Sequence, residues 1–305
     1  MAEKILVSGS DGFIASHTIE VLHEAGYEVI GIKRHVGSLQ VGEVPKEAKP
    51  DVLYIGDIRD RSLVEKACSQ ASGIIHLAGI LGTQETILNP YPSVETNIVG
   101  SLNFMEAAKL YGIPMVQIAV GNYWMNNSYS ITKNTAERFA LMYHKEFGVK
   151  INVVRALNAF GERQKWYPIR KMMPNFIIRA LLNKDICIYG DGTQEMDFVY
   201  VKDVGRVLLS ALFSSTYGRT FEAGTGVGLT VTKWALTIVK ELKSESQLKY
   251  LPMRPGEPEH SVVVSKNPYP LKYTETEEAI KKTCAWYKNE MEGKKINIGT
   301  FLSHE

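Results

Sequence analysis

Cysteine is scarce. Cys68, Cys187 and Cys284 are the only three, odd in number and far apart. A disulfide framework is thereby excluded, and reduced, buried thiols of a cytoplasmic protein are expected. No Cys/His pair recurs at close spacing, so no metal site is expected. No apolar run approaches the roughly 20 residues that span a bilayer, so no membrane partner is expected. The first four residues, Met1 to Lys4, lead straight into a strand-like segment and lack the layout of a secretory signal. Charge bias is missing as well: a net charge of +2 gives no reason to expect nucleic acid or an anionic surface as partner. Internal repeats and low-complexity segments are absent. What is there, 305 residues with 45% hydrophobic and 22% charged, suits a globular chain with a sizeable core, as one large domain or two closely joined.

The first sixty residues carry the strongest local pattern. Residues 4–8 form an apolar run of strand length. The turn Gly9-Ser-Asp-Gly12-Phe13-Ile14-Ala15 follows and opens a helix that ends at Gly26, and residues 28–33 are a second strand. Strand, glycine turn, helix and strand in this order make a dinucleotide-binding unit. Gly9 allows the tight turn. Gly12 lets a pyrophosphate approach the helix N-terminus, where free N–H groups and the dipole favour anions. Ala15 keeps helix and strand close. The second strand ends in Ile32-Lys33-Arg34-His35, without the acidic residue that usually holds the ribose hydroxyls of NAD. Lys33 or Arg34 can pair with a 2′-phosphate, so NADP is favoured over NAD.

Strands are then expected at 52–55, 73–77, 114–118 and 150–155. Helical spacing lies between them at 62–69, 92–111 and 129–147. Such alternation specifies a parallel sheet covered on both faces. Ligands sit outside the carboxyl ends of its strands, where Gly9, Asp57, Ala78 and Gly121 converge. After residue 160 the pattern changes to a basic link (161–171), shorter strands at 186–189 and 198–201, and helices at 172–183, 203–214, 232–242 and 276–289. These read as a smaller substrate-covering lobe, and the tail 294–305 as a loosely packed end.

Tyr129 and Lys133 stand four residues apart, one turn on a helix, and share a face. A phenol titrates near ~10 in water and is a poor base at neutral pH. An adjacent ammonium favours the phenolate, making the pair a proton shuttle for a sugar or alcohol hydroxyl. His17 and His76, without an evident orienting partner, read as structural.

Several ordered motifs together carry a resemblance: Gly9-x-x-Gly12-x-x-Ala15, Gly56-Asp57-Ile58-Arg59, His76-Leu77-Ala78-Gly79, Thr96-Asn97, Tyr129-x-x-x-Lys133, Arg155-x-x-Asn158-x-x-Gly161, Tyr189-Gly-Asp-Gly192, Val199-Tyr-Val-x-Asp203 and Arg254-Pro-Gly-Glu257. Over residues 4–290 the chain resembles the nucleotide-sugar epimerase/dehydratase family of the extended short-chain dehydrogenase/reductases, typified by UDP-galactose 4-epimerase. The resemblance implies an α/β fold: a Rossmann-type doubly wound parallel sheet with a smaller C-terminal α/β substrate lobe. Residues 1–165 would form the dinucleotide-binding domain, with a return segment near 197–222, and 166–305 mainly the lobe. It further implies cofactor contacts from Phe13, Ile14, Asp57, Ile58, Leu77, Ala78, Gly79 and Asn97. Lys133 would bind the nicotinamide ribose and lower the pKa of Tyr129, which would take the proton of the sugar 4-hydroxyl as hydride moves to the cofactor. A 4-keto sugar would then take the hydride back on its other face. Asn158 and Arg254 would hold the diphosphate of a nucleotide-sugar substrate. Helices at 94–111 and 136–147 would pair two subunits into a homodimer.

Three departures qualify what the resemblance implies. The turn Ala119-Val120-Gly121-Asn122-Tyr123-Trp124 lacks the family's Ser or Thr partner for the reacting hydroxyl, and the loop to Tyr129 is short. Asn122, Asn126, Asn127 and Ser128 are the candidates to replace that donor, whose loss typically slows a reaction ~10²–10³-fold. No carboxylate lies between Gly121 and Lys133, which disfavours the acid–base pair of a 4,6-dehydratase. Met196 stands where a phosphate-binding Arg is common, and Arg163, Lys165, Arg170 or Lys171 can replace that charge. The expected activity is C4 epimerisation of a UDP-sugar. The alternatives are an NADPH-dependent 4-keto-sugar reductase, a sugar dehydratase, and a catalytically weak dinucleotide-binding sensor or scaffold.

Overall fold

Apolar runs too short to be helices build the frame of the molecule. In the computed structural model, which describes residues 3–35, 44–82, 86–167, 171–253, 264–293, 296 and 301, they form β1 (Lys4–Ser8), β2 (Glu28–Lys33), β3 (Val52–Ile55), β4 (Gly73–His76), β5 (Met115–Val120) and β6 (Ile151–Ala156). Between them run α1 (Phe13–Glu24), α2 (Arg61–Cys68), α3 (Tyr91–Val94), α4 (Gly100–Tyr111) and α5 (Ser128–Phe147). The strand registers are parallel throughout, and the sheet order is β3-β2-β1-β4-β5-β6 with one further strand beyond β6. The order reverses between β1 and β4, and the crevice at their carboxyl ends is where a doubly wound sheet binds its ligand.

The chain beyond β6 continues through β7 (Asn158–Phe160), α6 (Met172–Leu181), β8 (Ile186–Tyr189), β9 (Glu195–Met196), β10 (Phe198–Tyr200), α7 (Val201–Leu212), β11 (Thr220–Ala223), β12 (Leu229–Thr230), α8 (Val231–Leu242), β13 (Leu248–Leu251) and α9 (Thr276–Glu292). β11 pairs in parallel with β6 and is the seventh strand of the main sheet. Val201 opens α7 instead of closing a strand, so the helix expected from 203 begins two residues earlier. The pairs β8–β13, β9–β12 and β7–β10 were legible only in part, because strands of two to four residues leave little periodicity to count.

Apolar residues collect in three places. Leu6, Ile30, Ile74 and Phe104 pack α2, α4 and α5 on one face of the sheet. Ile5, Val7, Ile19, Leu22, Val204, Leu208 and Leu212 pack α1 and α7 on the other. A third cluster, around Phe160, Phe176, Ile188, Phe198, Trp234 and Tyr287, joins α6, α8 and α9. Two residues of the tail, Ile296 and Phe301, are buried in it, and Phe301 meets the Trp166 ring edge-on. These two residues are anchored rather than loose. The helix expected over 92–111 is interrupted by a π turn over Glu95–Val99. Among the described residues no helix is long and apolar enough to cross a membrane.

Candidate active site

One cleft of about 680 Å³ runs along the carboxyl ends of the strands and under the lobe. Gly9, Gly12, Phe13, Ile14, Lys33, Arg34, Asp57, Ile58, Leu77, Ala78, Gly79, Asn122, Tyr129 and Asn158 all line it. The backbone explains the glycine turn. Gly9 has φ +66, and a Cβ there would come within 3.0 Å of Ala78 Cα, so the turn and the end of β4 can touch only with glycine. Gly12 is the N-cap of α1 and offers no side-chain cap, and Gly12 to Ala15 line the cleft. Uncapped first-turn N–H groups facing a cleft are suited to a pyrophosphate. The residues present therefore fit a dinucleotide.

His76 holds the opposite wall. Ser101 Oγ donates to the Asn97 carbonyl at 2.7 Å, so its 3.0 Å contact is with a donating His76 Nε2–H. Ser8 Oγ, 2.6 Å from His76 Nδ1, then donates to that nitrogen while it accepts from the Leu77 and Ala78 N–H groups, both at 3.0 Å. Burial, and then the Lys133 charge, hold His76 well below its usual pKa. It is a neutral brace for the Leu77–Ala78 wall.

Asn97 lies behind the cleft lining. From the π turn, its Oδ1 accepts from the Ile80 N–H at 2.8 Å, and its Nδ2 donates to the Ile80 carbonyl at 2.9 Å and to Thr132 Oγ1 at 3.0 Å. A Cβ on Gly79 would sit 2.8 Å from Asn97 Oδ1 and 3.8 Å from Lys133 Nζ. Asn97 thus ties the cleft wall to α5, one residue away from Lys133.

Tyr129 is the second residue of α5, whose N-terminus is capped by Asn127 Oδ1 accepting from the Ser130 N–H at 2.9 Å. The positive end of the helix favours a phenolate there. Lys133, one turn on, is 3% exposed, and among the described residues its ammonium has no hydrogen bond or ion pair. Burial pushes the Lys133 ammonium down to about 8 and the Tyr129 phenol up to about 12. The lowering of Tyr129 by Lys133 implied by the resemblance is therefore not what the structure gives. Burial is the cause of both shifts, since each group loses water there and the charged form is disfavoured.

At the ribose end the expected roles shift. Arg59 donates from Nε to Asp57 Oδ1 at 3.0 Å and from a terminal nitrogen to Oδ2 at 2.9 Å. These bonds hold the Asp57 carboxyl below its usual range, against burial and with a smaller contribution from the Arg34 charge. Asp57 lines the cleft with its carboxylate already engaged.

In the β5–α5 loop, Asn122 lines the cleft and its Nδ2 donates to Met125 Sδ at 3.0 Å. A thioether is a weak acceptor, so the amide is readily exchanged for a better partner. Asn158 donates to the Asp197 carbonyl at 3.2 Å.

Arg163 is not brought to the cleft. It is buried against α1, donating to Glu20 Oε1 at 2.6 Å and to Ser16 Oγ at 3.2 Å. Lys165 and Lys171 of the same basic link do line the cleft, beside Met196. Arg170 and Arg254 lie outside the described residues. Cys187, unlike the buried Cys68 and Cys284, is half-buried and lines the cleft. Sequence reasoning also passed over Gln164, Arg179, Gln194 and Met253. Only Gln194 had a signal, since it follows the Gly190-Asp-Gly192 turn.

Comparisons with known proteins agree with this geometry. The profile of the NAD dependent epimerase/dehydratase family matches residues 5–224. The UDP-glucose 4-epimerase of Thermotoga maritima, solved with UDP-glucose, is 26% identical with a TM-score of 0.84, covering 94% of this chain and 99% of that one. The UDP-N-acetylglucosamine 4-epimerase of Methanobrevibacter ruminantium, solved with UDP-N-acetylmuramic acid, is 25% identical with a TM-score of 0.86, covering 95% and 100%. The UDP-N-acetyl-alpha-D-glucosaminuronate decarboxylase of Bacillus cytotoxicus is 25% identical, covering 94% of this chain and 98% of that protein.

Proposed function

The chain belongs to the NAD dependent epimerase/dehydratase family, and from that premise we propose that it interconverts the C4 epimers of a UDP-sugar. One cleft carries the proposal: it takes in the glycine turn, Tyr129 and the lobe residues Tyr189 and Gln194 together. A dinucleotide on the glycine turn and a sugar nucleotide under the lobe meet at Tyr129. The bound nicotinamide supplies the hydride acceptor and donor, so no cofactor is consumed.

Tyr129 takes the proton of the sugar 4-hydroxyl and returns it. Burial holds its phenol up at about 12, so in this proposal the helix N-terminus and the Lys133 charge must offset that burial for Tyr129 to act as the base. Asn122 turns from Met125 to the reacting oxygen and replaces the missing hydroxyl donor. Asn158, Lys165 and Lys171 hold the substrate diphosphate. Lys33 and Arg34 favour NADP over NAD at the ribose. The absence of a carboxylate between Gly121 and Lys133 speaks against dehydration. A cytoplasmic homodimer through α4 and α5 completes the proposal, supported by exposed Val99, Leu110, Tyr111 and Phe147 on and beside those helices. Sedimentation as a clean monomer would remove the dimer.

Incubation with UDP-glucose, UDP-N-acetylglucosamine and UDP-glucuronate, followed by proton NMR, tests the activity. The expected product is the C4 epimer, with no net absorbance change at about 340 nm. Tyr129→Phe is expected to slow it ~10²–10⁴-fold, the usual size of an acid–base contribution, with cofactor binding retained. Stoichiometric NADPH oxidation with a 4-keto sugar would establish a reductase instead. Release of CO₂ from UDP-glucuronate would establish a decarboxylase. Tight cofactor binding without turnover of any sugar nucleotide would establish a sensor.

A further inference from the structure

The loop from Gly121 to Asn127 is short, yet on the epimerase reading it presents Asn122 to the reacting oxygen. The bonds within it are few. The Met125 N–H donates to the Asn122 carbonyl at 3.1 Å, and Asn122 Nδ2 donates to Met125 Sδ. Its firmest hold comes from outside. Arg155, on β6, lies against the next residue of the loop, with its guanidinium carbon 3.8 Å from the Tyr123 ring centroid. The same guanidinium is forked onto Glu137, donating from Nε to Oε2 at 2.9 Å and from a terminal nitrogen to Oε1 at 2.6 Å.

Glu137 belongs to α5, four residues after Lys133 and eight after Tyr129. Helical periodicity aligns these three side chains on one face. The Glu137 side chain is 3% exposed and that of Arg155 18%, so the fork is well shielded from water. A guanidinium already fixed bidentately loses little further freedom when a ring stacks on it. Tyr123 itself is 39% exposed and does not line the cleft. Its ring rests on the Arg155 guanidinium and takes no part in the cleft lining.

We infer that Tyr123 is a positioning residue: stacked on the Arg155 guanidinium that Glu137 fixes, it holds Asn122 in register with Tyr129. The loop and the helix are thereby fastened to one ion pair. The kinetic part of this inference rests on the epimerase reading. The structural part does not.

A double-mutant cycle with hydrogen exchange tests it. Tyr123→Ala is expected to lower kcat about tenfold, equivalent to ~1.4 kcal/mol, with KM changed less than about twofold. Tyr123→Phe keeps the ring and is expected to stay within about twofold of the parent, since the stack uses the π face. Asn122→Ala combined with Tyr123→Ala is expected to be no slower than Asn122→Ala alone, because Tyr123 acts through Asn122. Additive losses, a loss in KM alone, or an unchanged Tyr123→Ala would overturn the inference. In the full chain, amide exchange over residues 121–127 should rise in Tyr123→Ala and not in Tyr123→Phe, and unchanged exchange would also overturn it. If the parent converts no sugar nucleotide, the epimerase reading fails, and the exchange measurement alone decides the role of Tyr123.

Discussion

Lys133→Met is expected to make the protein more stable and inactive. The ammonium of Lys133 is buried, and its pKa falls from 10.5 to about 8. A lysine whose folded pKa is depressed destabilises the fold wherever it is charged. The penalty is full below the folded value, and it is relieved as pH rises from about 8 towards 10.5. Each tenfold loss of proton affinity on folding is worth ~1.36 kcal/mol, so the penalty is about 3 kcal/mol at pH 7, about 2 at pH 9 and about 1 at pH 10. Methionine keeps most of the stem and removes the charge, so the variant escapes the penalty. Urea unfolding of both proteins at pH 7, 9 and 10, without added nucleotide, measures the gap between them. The expected gap is about 3 kcal/mol in favour of Lys133→Met at pH 7, shrinking by about two-thirds at pH 10. A variant less stable than the parent at pH 7, or a gap indifferent to pH, would refute the reasoning. A ligand that supplies acceptors for the ammonium is expected to stabilise the parent and not the variant.

Three further outcomes are expected. Burial pushes Glu20 upward, but the hydrogen bond and charge of His17, with Arg163 and Lys202, outweigh it and hold its pKa down at about 2. The carboxylate thus contributes up to about 3 kcal/mol above the unfolded value near 4.5, lost as pH falls from there through about 2, and Glu20→Gln should show an unfolding deficit at pH 6 that narrows by pH 3. Arg34→Ala should weaken NADP at least about tenfold more than NAD in calorimetric titrations, as the loss of a charged phosphate contact would, and equal losses would remove the NADP preference. Asn97→Ala strands the Ile80 N–H and carbonyl, so a stability loss of ~2–4 kcal/mol is expected in urea unfolding, with weakened dinucleotide binding. Full stability would show that the Gly79–Ile80 wall does not need it.

Much of the frame was legible because its signals are local. Residues 4–33 announce strand, glycine turn, helix and strand by apolar length and two glycines, and the structure places them there. The spacing of Tyr129 and Lys133 made their shared helix face legible, and α5 carries both. Less was legible where the answer depends on a partner distant in sequence. Arg163 read as a free cation of a basic link, but its partner, Glu20, lies on the first helix. The pKa of Tyr129 was expected to fall because a neighbouring charge can be counted in sequence, whereas burial cannot. Asn97 read as a cleft residue, and only the π turn shows it bracing the wall from behind. The Tyr123–Arg155–Glu137 stack joins a loop, a strand and a helix, and no spacing rule connects the three.

The pairing of β11 with β6 and the packing of α7 on α1 bear on how the chain is made. The glycine turn and α1 leave the ribosome long before α7, and the face of Ile19 and Leu22 that packs on α7 is covered only when Val204, Leu208 and Leu212 arrive. The sheet edge at β6 likewise stays open until residues 220–223 emerge. At a synthesis rate of roughly 5–20 residues per second, the half-made nucleotide-binding unit therefore spends many seconds with exposed apolar surface and an unpaired strand edge. A chain cut at residue 165 is therefore expected to expose that apolar face and strand edge and to aggregate more readily than the full chain.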